Sequence, residues 1–461
     1  MRGYDSLTIA EMPEHYQRQT RGKRVSPRGR KFDAGARCSA YRRVIAKNCS
    51  WCCDDSYAAI VATRCKAVRI TRLSSSLRLH PIVHWTEDGE TRSARWLSES
   101  GVPPARRVVI ADERLTADDA YGLVCQGTTL LWRGDFQNAR QMRVALASRA
   151  DRRARQAKRS VTSPLSSAPA EAFHLYRQAR SQRARTLGAL LVPLEADYSI
   201  PLRRAPDIRQ ACAEAYGPGE GPSIAPLQGL LGVIGAHEWR VRGIEIGAIG
   251  GRIHPHYGVF GPIRSEYVDL LGTAPLPPLT SSCSVAFDIG TGTGVLAAVL
   301  ARRGIMRVIA TDADARALAC ARENLERLGL AEQVELRSAD LFPEGRAALV
   351  VCNPPWVPAR PSSPLERAIY DPESRMLRRF LDTLPAHLEP GGEGWLILSD
   401  LAEHLGLRAK GQLLAEFHAA GLRVVDRSDA RPKHPRASNE ADPLHVARAA
   451  EVVSLWRLAV L

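Results

Sequence analysis

Two short groups of residues in this chain have the types and spacing that chemistry requires. In the first, Gly290, Gly292 and Gly294 alternate with threonines directly after the apolar run 285–289. Glycines at such places let a ligand touch the backbone where a side chain would block it. Asp312 follows at the end of a second apolar run, a place suited to binding the two hydroxyls of a ribose. The first group therefore predicts a site for an adenosine-containing cofactor.

The second group is Asn353-Pro354-Pro355-Trp356, which follows the apolar run 348–352. An exocyclic or carboxamide nitrogen is a poor nucleophile because its lone pair is delocalised. The side-chain carbonyl of Asn353 and the backbone carbonyl of Pro354 could accept both N–H bonds and hold such a nitrogen while its lone pair turns outward. The two prolines stiffen the turn. The flat face of Trp356 is suited to stacking on a base or an amide plane.

Taken together, the two groups resemble the S-adenosylmethionine-dependent N-methyltransferases of the "methyltransferase small" group, in which Asn-Pro-Pro precedes an aromatic residue. That group includes the release-factor glutamine methyltransferases and several RNA enzymes that methylate amino groups of adenine or guanine. The resemblance covers residues 253–461, a little under half of the chain. It implies S-adenosyl-L-methionine as cofactor and a planar NH2 group as methyl acceptor.

The resemblance also implies roles for single residues. Asp288 and the three glycines would hold the methionine end of the cofactor, and Asp312 would hold the ribose hydroxyls. Asp340 would bind the adenine amino group, although it could instead cap a helix or a turn. Phe260, just before the first strand, would belong to a lid over the cofactor. Trp356 replaces the commoner Tyr or Phe; it keeps the stacking role but is bulkier. If a base stacks there, Trp356→Phe is expected to retain much of the activity.

Strand and helix alternate through this half of the chain, which predicts an α/β fold with a Rossmann-like seven-stranded methyltransferase sheet. Five strands are predicted in order and then a final antiparallel pair, at residues 285–289, 307–310, 334–338, 348–352, 394–398, 422–427 and 452–460. Residues 428–449 form a polar insert, longer than a hairpin requires, that could reach over the substrate cleft.

Residues 80–252 are predicted to form an additional α+β domain that recognises the substrate, with a linker at 160–170. The segment 149–159 is basic, and the predicted helix 171–190 carries arginines at 177, 180, 183 and 185. Both features are compatible with a phosphate backbone, but they also describe solvated, ordinary amphipathic helices. The segment 239–246 reads as a strand.

The composition is that of a globular protein: 45% of the 461 residues are hydrophobic and 25% are charged. No apolar run approaches the length of a membrane span, which predicts no membrane contact. Residues 1–21 lack the apolar stretch of a signal peptide. Ten cysteines without such a signal predict reduced thiols and a cytoplasmic location.

Residues 1–79 differ from the rest of the chain. Residues 1–80 hold 17 Lys and Arg against 6 Asp and Glu, so most of the net charge of +15 lies there. They also hold five of the cysteines, including the C-x2-C pair Cys49 and Cys52. The spacing lacks the paired symmetry of a strong zinc motif, so a basic tail or a mis-assigned extension is the better interpretation.

His254 and His256 likewise fit a polar loop better than a metal pair, and no metal site is predicted.

The function favoured by these observations is N-methylation of a base amino group in RNA or other nucleic acid. A protein glutamine side chain is the alternative because it presents the same planar NH2. A nicotinamide oxidoreductase would need a diphosphate-binding G-x-G-x-x-G, whereas this loop is G-x-G-x-G, and it would leave residues 353–356 unexplained. A non-catalytic RNA-binding module is disfavoured because every expected site residue is present.

Residues 1–79 are expected to be dispensable, because no apolar pattern ties them to the rest of the chain. A chain shortened to residues 80–461 should bind cofactor with the affinity of the full chain and melt at the same temperature. Calorimetric titration and thermal unfolding test this. A melting temperature lower by several degrees, or stoichiometric zinc in the purified full chain, would contradict the expectation.

Overall fold

Two sheets, one of six strands and one of seven, organise the described part of the chain. The structure is a computed structural model, and it describes residues 81–98, 101–160, 168–281, 285–433 and 439–461. These residues belong to one compact unit. The segment 1–79, with its candidate zinc ligands, and most of the predicted linker lie outside them. No helix among the described residues is long and apolar enough to cross a membrane.

The first sheet mixes parallel and antiparallel pairs, in the order β1-β2-β6-β5-β4-β3. Its strands are β1 (Ile82–Glu87), β2 (Glu90–Trp96), β3 (Val108–Ala111), β4 (Thr129–Trp132), β5 (Leu190–Leu194) and β6 (Ser223–Pro226). The sequence analysis missed the hairpin of β1 and β2. The sequence feature that indicates this hairpin is Asp88-Gly89, whose positive φ angles of 55° and 80° are typical of a two-residue hairpin turn.

Five helices accompany this sheet: α1 (Ala117–Cys125), α2 (Phe136–Ser160), α3 (Pro169–Gly188), α4 (Arg209–Tyr216) and α5 (Leu227–Arg242). The prediction of a strand at 239–246 was wrong for its first half, because α5 continues to Arg242. The helix ends at Gly243, where φ is +70° and the N–H bonds the Trp239 carbonyl. Only Ile244–Ile246 is extended (β7), paired with Gly251–Ile253 (β8).

The second sheet contains β9 (Val285–Ile289), β10 (Arg307–Asp312), β11 (Val334–Ser338), β12 (Ala347–Cys352), β13 (Leu388–Ser399), β14 (Leu422–Ala430) and β15 (Val453–Val460). Its order is β11-β10-β9-β12-β13-β15-β14. The first five strands in this order are parallel, and β15 pairs antiparallel with both β13 and β14. The predicted seven-stranded α/β fold is confirmed.

Seven helices flank this sheet: α6 (Glu266–Thr273), α7 (Val295–Arg302), α8 (Ala315–Arg327), α9 (Arg375–His387), α10 (Leu401–His404), α11 (Gln412–Ala419) and α12 (His445–Ala450). Short 3-10 turns occupy Gly247–Ile249, Pro278–Ser281, Pro364–Ala368 and Pro372–Ser374. The central strand β12 is buried along its whole length, as expected for a parallel strand that is covered on both faces.

Helix α3 connects the first sheet to the loop that follows Trp356. Its Arg177 lies 4.1 Å above the Tyr370 ring and donates to the Arg360 carbonyl, the Ser362 hydroxyl and the Glu366 carboxylate. The other arginines predicted to face RNA from this helix are partly engaged as well. Those at 180 and 183 contact Tyr176 and Asp151, and the one at 185 is exposed.

Replacing Arg177 by methionine should lower the free energy of unfolding by about 1.5–3 kcal/mol, because several charge-assisted hydrogen bonds to the loop are lost. Replacing the exposed Arg185 of the same helix by methionine is the matched control, and it should change stability by less than about 0.5 kcal/mol. Urea denaturation measures both variants. Equal stability of the two would show that the Arg177 contacts do not anchor the loop.

Candidate active site

The parallel pairing of neighbouring strands brings the two groups of candidate residues to one edge of the second sheet. In the register, Ile289 of β9 lies opposite Cys352 of β12 and opposite Thr311 of β10. The glycine loop, Asp312 and the segment 353–356 follow directly after these three positions. All of them except Gly294 line one cleft of about 2520 Å³, which also reaches α3 and the first sheet.

The glycine loop needs glycine at each of its three places, for two different reasons. Gly290, Gly292 and Gly294 all have positive φ angles, of 74°, 56° and 81°. A Cβ at Gly294 would approach Ala321 of α8 to 3.2 Å, so this glycine allows α8 to pack closely. A Cβ at Gly292, beside the cleft, would approach only the Gly290 carbonyl oxygen, at 4.0 Å, an ordinary contact distance. Gly292 therefore leaves room for a ligand to contact the backbone.

Asp288 lies beneath the glycine loop, fully buried, and is not among the residues that line the cleft. Its Oδ2 accepts hydrogen bonds from the Thr291 hydroxyl at 2.6 Å and from the Ala297 N–H at 3.1 Å. Its Oδ1 has no hydrogen-bond partner among the described residues. Burial raises the pKa of this carboxyl to about 6. The geometry makes Asp288 the support that fixes the loop on the first turn of α7.

Asp312 lies at the rim of the cleft, where its carboxylate faces the loop. Oδ2 accepts the Gly292 N–H at 3.0 Å, and Oδ1 accepts the Asp314 N–H at 2.9 Å. A carboxylate offers about four acceptor positions, so two remain for a ligand. Burial raises the pKa of Asp312 as well. Asp312 is thus well arranged to accept hydrogen bonds from a diol.

Asp340 and Phe260 also line the cleft. The side chain of Asp340 is 73% exposed and pairs with Arg379 at 3.0 Å, so it neither caps a helix nor is buried. Phe260 follows a loop that α8 holds in place: the His254 N–H bonds Asn324, and the His256 ring lies 3.0 Å from Glu323. Among the described residues, no group of three His, Cys, Asp or Glu could hold a metal ion.

The segment after β12 has an internal hydrogen bond that the sequence analysis did not anticipate. The indole Nε1–H of Trp356 donates to Oδ1 of Asn353 at 2.8 Å. Both side chains are partly buried and line the cleft, as do Pro354 and Pro355. The carbonyl oxygen expected to meet a substrate nitrogen therefore already accepts one hydrogen bond.

Arg264 is a residue of this site that the sequence analysis missed. Its guanidinium carbon lies 5.2 Å from the centroid of the Trp356 ring. It pairs with Glu266 at 2.9 Å and with Glu451 at 3.0 Å, and both carboxylates are at least 95% buried. Glu451 also accepts from the Ser399 hydroxyl. Because Arg264 and Glu451 are 187 residues apart, no local pattern could have indicated the pair.

The described part of the polar insert 428–449 reaches the cleft, as the sequence analysis expected. Its residues at the cleft wall are Asn439, Ala441, Asp442, Pro443, Leu444 and Arg448. Leu444 and Ala447 pack in one hydrophobic cluster with Phe173 of α3 and with Val357 and Tyr370. The insert and α3 therefore enclose the loop after Trp356 together.

Residues 252–420 match the profile of the methyltransferase small domain. A release factor glutamine methyltransferase of Cereibacter sphaeroides is 39% identical over 153 residues, which are 32% of this chain and 51% of that protein. A ribosomal RNA small subunit methyltransferase C of Alcanivorax borkumensis is 35% identical over 112 residues, which are 24% of this chain and 30% of that protein.

A solved ribosomal protein L11 methylase of Lactobacillus delbrueckii subsp. bulgaricus is 16% identical, with a TM-score of 0.29, over 42% of this chain and 76% of that one. The matched segments thus span 51% of the release factor glutamine methyltransferase and 30% of the ribosomal RNA methyltransferase. The resemblance drawn from the sequence is confirmed for residues 252–420.

The raised pKa of Asp288 predicts a pH dependence of stability. Since the folded-state pKa is about 6 and the usual value is 3.8, the native state binds the proton of Asp288 more tightly than the unfolded state does. The stabilisation of the native state by this proton is complete below about pH 4 and is lost as the pH rises through about 6. Between about pH 4 and pH 7, the wild-type free energy of unfolding should fall by roughly 2.5 kcal/mol relative to that of Asp288→Asn. Chemical denaturation across this range measures the difference, and a constant difference would contradict the assignment.

Proposed function

We propose that this chain, whose residues 252–420 belong to the methyltransferase small family, is an S-adenosylmethionine-dependent N-methyltransferase. Its acceptor is a planar NH2 group, namely a base amino group of RNA or another nucleic acid. The observation that carries the proposal is the position of Asn353-Pro354-Pro355-Trp356, beside the glycine loop and Asp312 in one cleft.

The residues present fit the cofactor. The uncrowded surroundings of Gly292 admit a ligand to the backbone, and Asp312 keeps two acceptor positions for the ribose hydroxyls. Phe260 and Asp340 line the same cleft and would contact the adenine side. Asp288 would contribute indirectly, by holding the loop that Gly290 and its neighbours form. When bound, the cofactor supplies an electrophilic methyl group on a sulfonium.

The chain's contribution to methyl transfer is to orient the acceptor nitrogen. Asn353 Oδ1 and the Pro354 carbonyl would accept its two N–H bonds, which directs the nitrogen lone pair away from the plane they share. Positioning of this kind needs no strong base before transfer. Cys352 and Cys320 near the site are buried, and burial raises the pKa of both thiols, which disfavours a thiolate nucleophile.

The size and charge of the cleft support a large anionic substrate. Its volume of about 2520 Å³ is more than twice that of ordinary small-molecule sites, which reach about 1,000 Å³. Among the described residues, eleven arginines and seven carboxylates line it. Arg185, Arg367 and Arg375 are exposed there and have no carboxylate partner in the described part of the chain. Such arginines are suited to a phosphate backbone.

A protein glutamine is the second candidate, because the matched relatives include a release factor glutamine methyltransferase. Its carboxamide presents the same planar NH2 to Asn353. We also propose a cytoplasmic location for the chain. The cysteines described, at 125, 212, 320 and 352, are all free thiols, which suits a reducing compartment.

Methyl-labelled S-adenosylmethionine and a lysate of source cells lacking the gene would test the proposal. The purified full chain should transfer label to material that RNase destroys and protease does not. The rate should also fall steeply with added salt. A protease-sensitive, salt-tolerant label would overturn the nucleic-acid substrate and favour glutamine. No labelled macromolecule, together with no cofactor binding by calorimetry, would overturn the methyltransferase proposal.

Asn353→Ala should leave the affinity for S-adenosylmethionine nearly unchanged yet remove most turnover, because its carbonyl engages the acceptor nitrogen. The loss of one positioning acceptor should raise the barrier by about 2.7–4 kcal/mol, by analogy with one oxyanion-hole donor. Asp312→Ala is the contrasting variant. It should weaken cofactor binding by about 1.5–3 kcal/mol, because a charged acceptor is lost. Calorimetry and methyl-transfer assays separate the two effects, and a fully active Asn353→Ala would refute the mechanism.

A further inference from the structure

The hydrogen bond within the segment 353–356 joins two unlike groups. One of them can only donate a hydrogen bond, whereas the other can donate and accept. The indole N–H of Trp356 has no acceptor atom, whereas the carboxamide of Asn353 has an oxygen that accepts and an NH2 that donates. At 2.8 Å the indole N–H is bonded to the oxygen, Oδ1. A carboxamide turned by 180° would place its NH2 against the indole N–H. The contact therefore selects one of the two orientations of Asn353.

The orientation matters because the two ends of the carboxamide are nearly the same shape but have opposite hydrogen-bonding character. The NH2 group of a substrate that receives the methyl group donates hydrogen bonds, so only the oxygen end of the carboxamide can hold it. A carbonyl oxygen has two lone pairs, so Oδ1 can accept from Trp356 and still accept one N–H of a substrate. Phenylalanine at position 356 would offer the same kind of flat face but no N–H.

Trp356 is itself held firmly enough to act as such a support. The Arg264 guanidinium lies near one part of its ring system, 5.2 Å from the centroid, and two buried carboxylates fix Arg264. The ring also packs against three hydrophobic clusters, one on each face of the second sheet and one beside α3. Contacts on several sides limit the motion of the indole and so define the direction of its N–H.

We propose that Trp356 is a positioning residue that acts through Asn353: its indole N–H keeps Oδ1 of Asn353 turned toward the substrate amino group. This inference rests on the proposed function, since it concerns the same transfer. It differs from a stacking role, in which only the flat face of Trp356 would matter. Under the stacking role, Trp356→Phe would be nearly neutral. Under the positioning role, the same substitution slows transfer.

Single-turnover kinetics with labelled S-adenosylmethionine and the acceptor fraction of the lysate test the difference. Trp356→Phe should lower the rate of methyl transfer at saturating acceptor roughly 3- to 10-fold, which corresponds to the loss of one neutral hydrogen bond. Cofactor affinity and acceptor affinity should stay unchanged. Trp85→Phe is the matched control and should transfer at the wild-type rate. Trp85 is also partly buried and donates to a side-chain oxygen, that of Glu87 at 3.0 Å, but it lies away from the cleft.

A double-mutant cycle shows whether Trp356 acts through Asn353. If it does, adding Trp356→Phe to Asn353→Ala should cause no further loss, since no carboxamide remains to be oriented. If Trp356 supports the site only by packing, the two losses should multiply. A Trp356→Phe variant with wild-type rate, or fully multiplicative losses, would overturn the proposal.

A spectroscopic measurement tests the hydrogen bond without reference to activity. In the 15N-labelled protein, the indole resonance of Trp356 is identified by its disappearance in Trp356→Phe. It should shift in Asn353→Ala and remain in place in a Glu87→Ala control, where the Trp85 resonance should shift instead. An unshifted Trp356 resonance in Asn353→Ala would overturn the inference. If this resonance shifts but the wild-type protein methylates nothing, the hydrogen bond stands and the proposed function fails.

Discussion

Two strand ends have to lie at the same level of one sheet for this site to exist. The parallel register that sets Ile289 opposite Cys352 fixes where the chain leaves β9 and where it leaves β12. A shift by one residue would turn every side chain of a strand to the other face. The buried runs on both faces of β12 make such a shift costly. The glycine loop and the segment 353–356 therefore meet because of hydrophobic burial along the strands that precede them.

Local sequence information was sufficient for the parts of the site that depend on backbone geometry. The glycine loop and Asn353 directly follow apolar strands and Asp312 is the last residue of one, so the pattern alone indicated their place at the strand ends. It was insufficient where long-range packing decides the outcome. Arg264 acquires its role from Glu451, far along the chain, and α3 uses Arg177 for internal contacts that a helical pattern cannot reveal. The strand misassigned at 239–246 failed because Gly243, a helix terminator, was overlooked.

Charge is distributed differently in the interior of the site and along its walls. Inside, Arg264 pairs with two buried carboxylates, and removing Arg264 would leave both of them without this cationic partner, which is costly for buried charges. Along the walls, exposed arginines such as Arg367 and Arg375 lack carboxylate partners in the described residues. The interior charges therefore serve rigidity, and those of the walls remain available to a substrate.

The order of the second sheet also has a consequence for synthesis on the ribosome. Strand β15 comes after β14 in the chain, yet it lies between β13 and β14 and is the strand to which β14 pairs. At about 5–20 residues per second, β14 must wait a few seconds for this partner. Glu451 lies two residues before β15, so the ion pair that fixes Arg264 beside Trp356 is added in the same late step. The nascent chain therefore acquires a fully supported site only after β15 has been made.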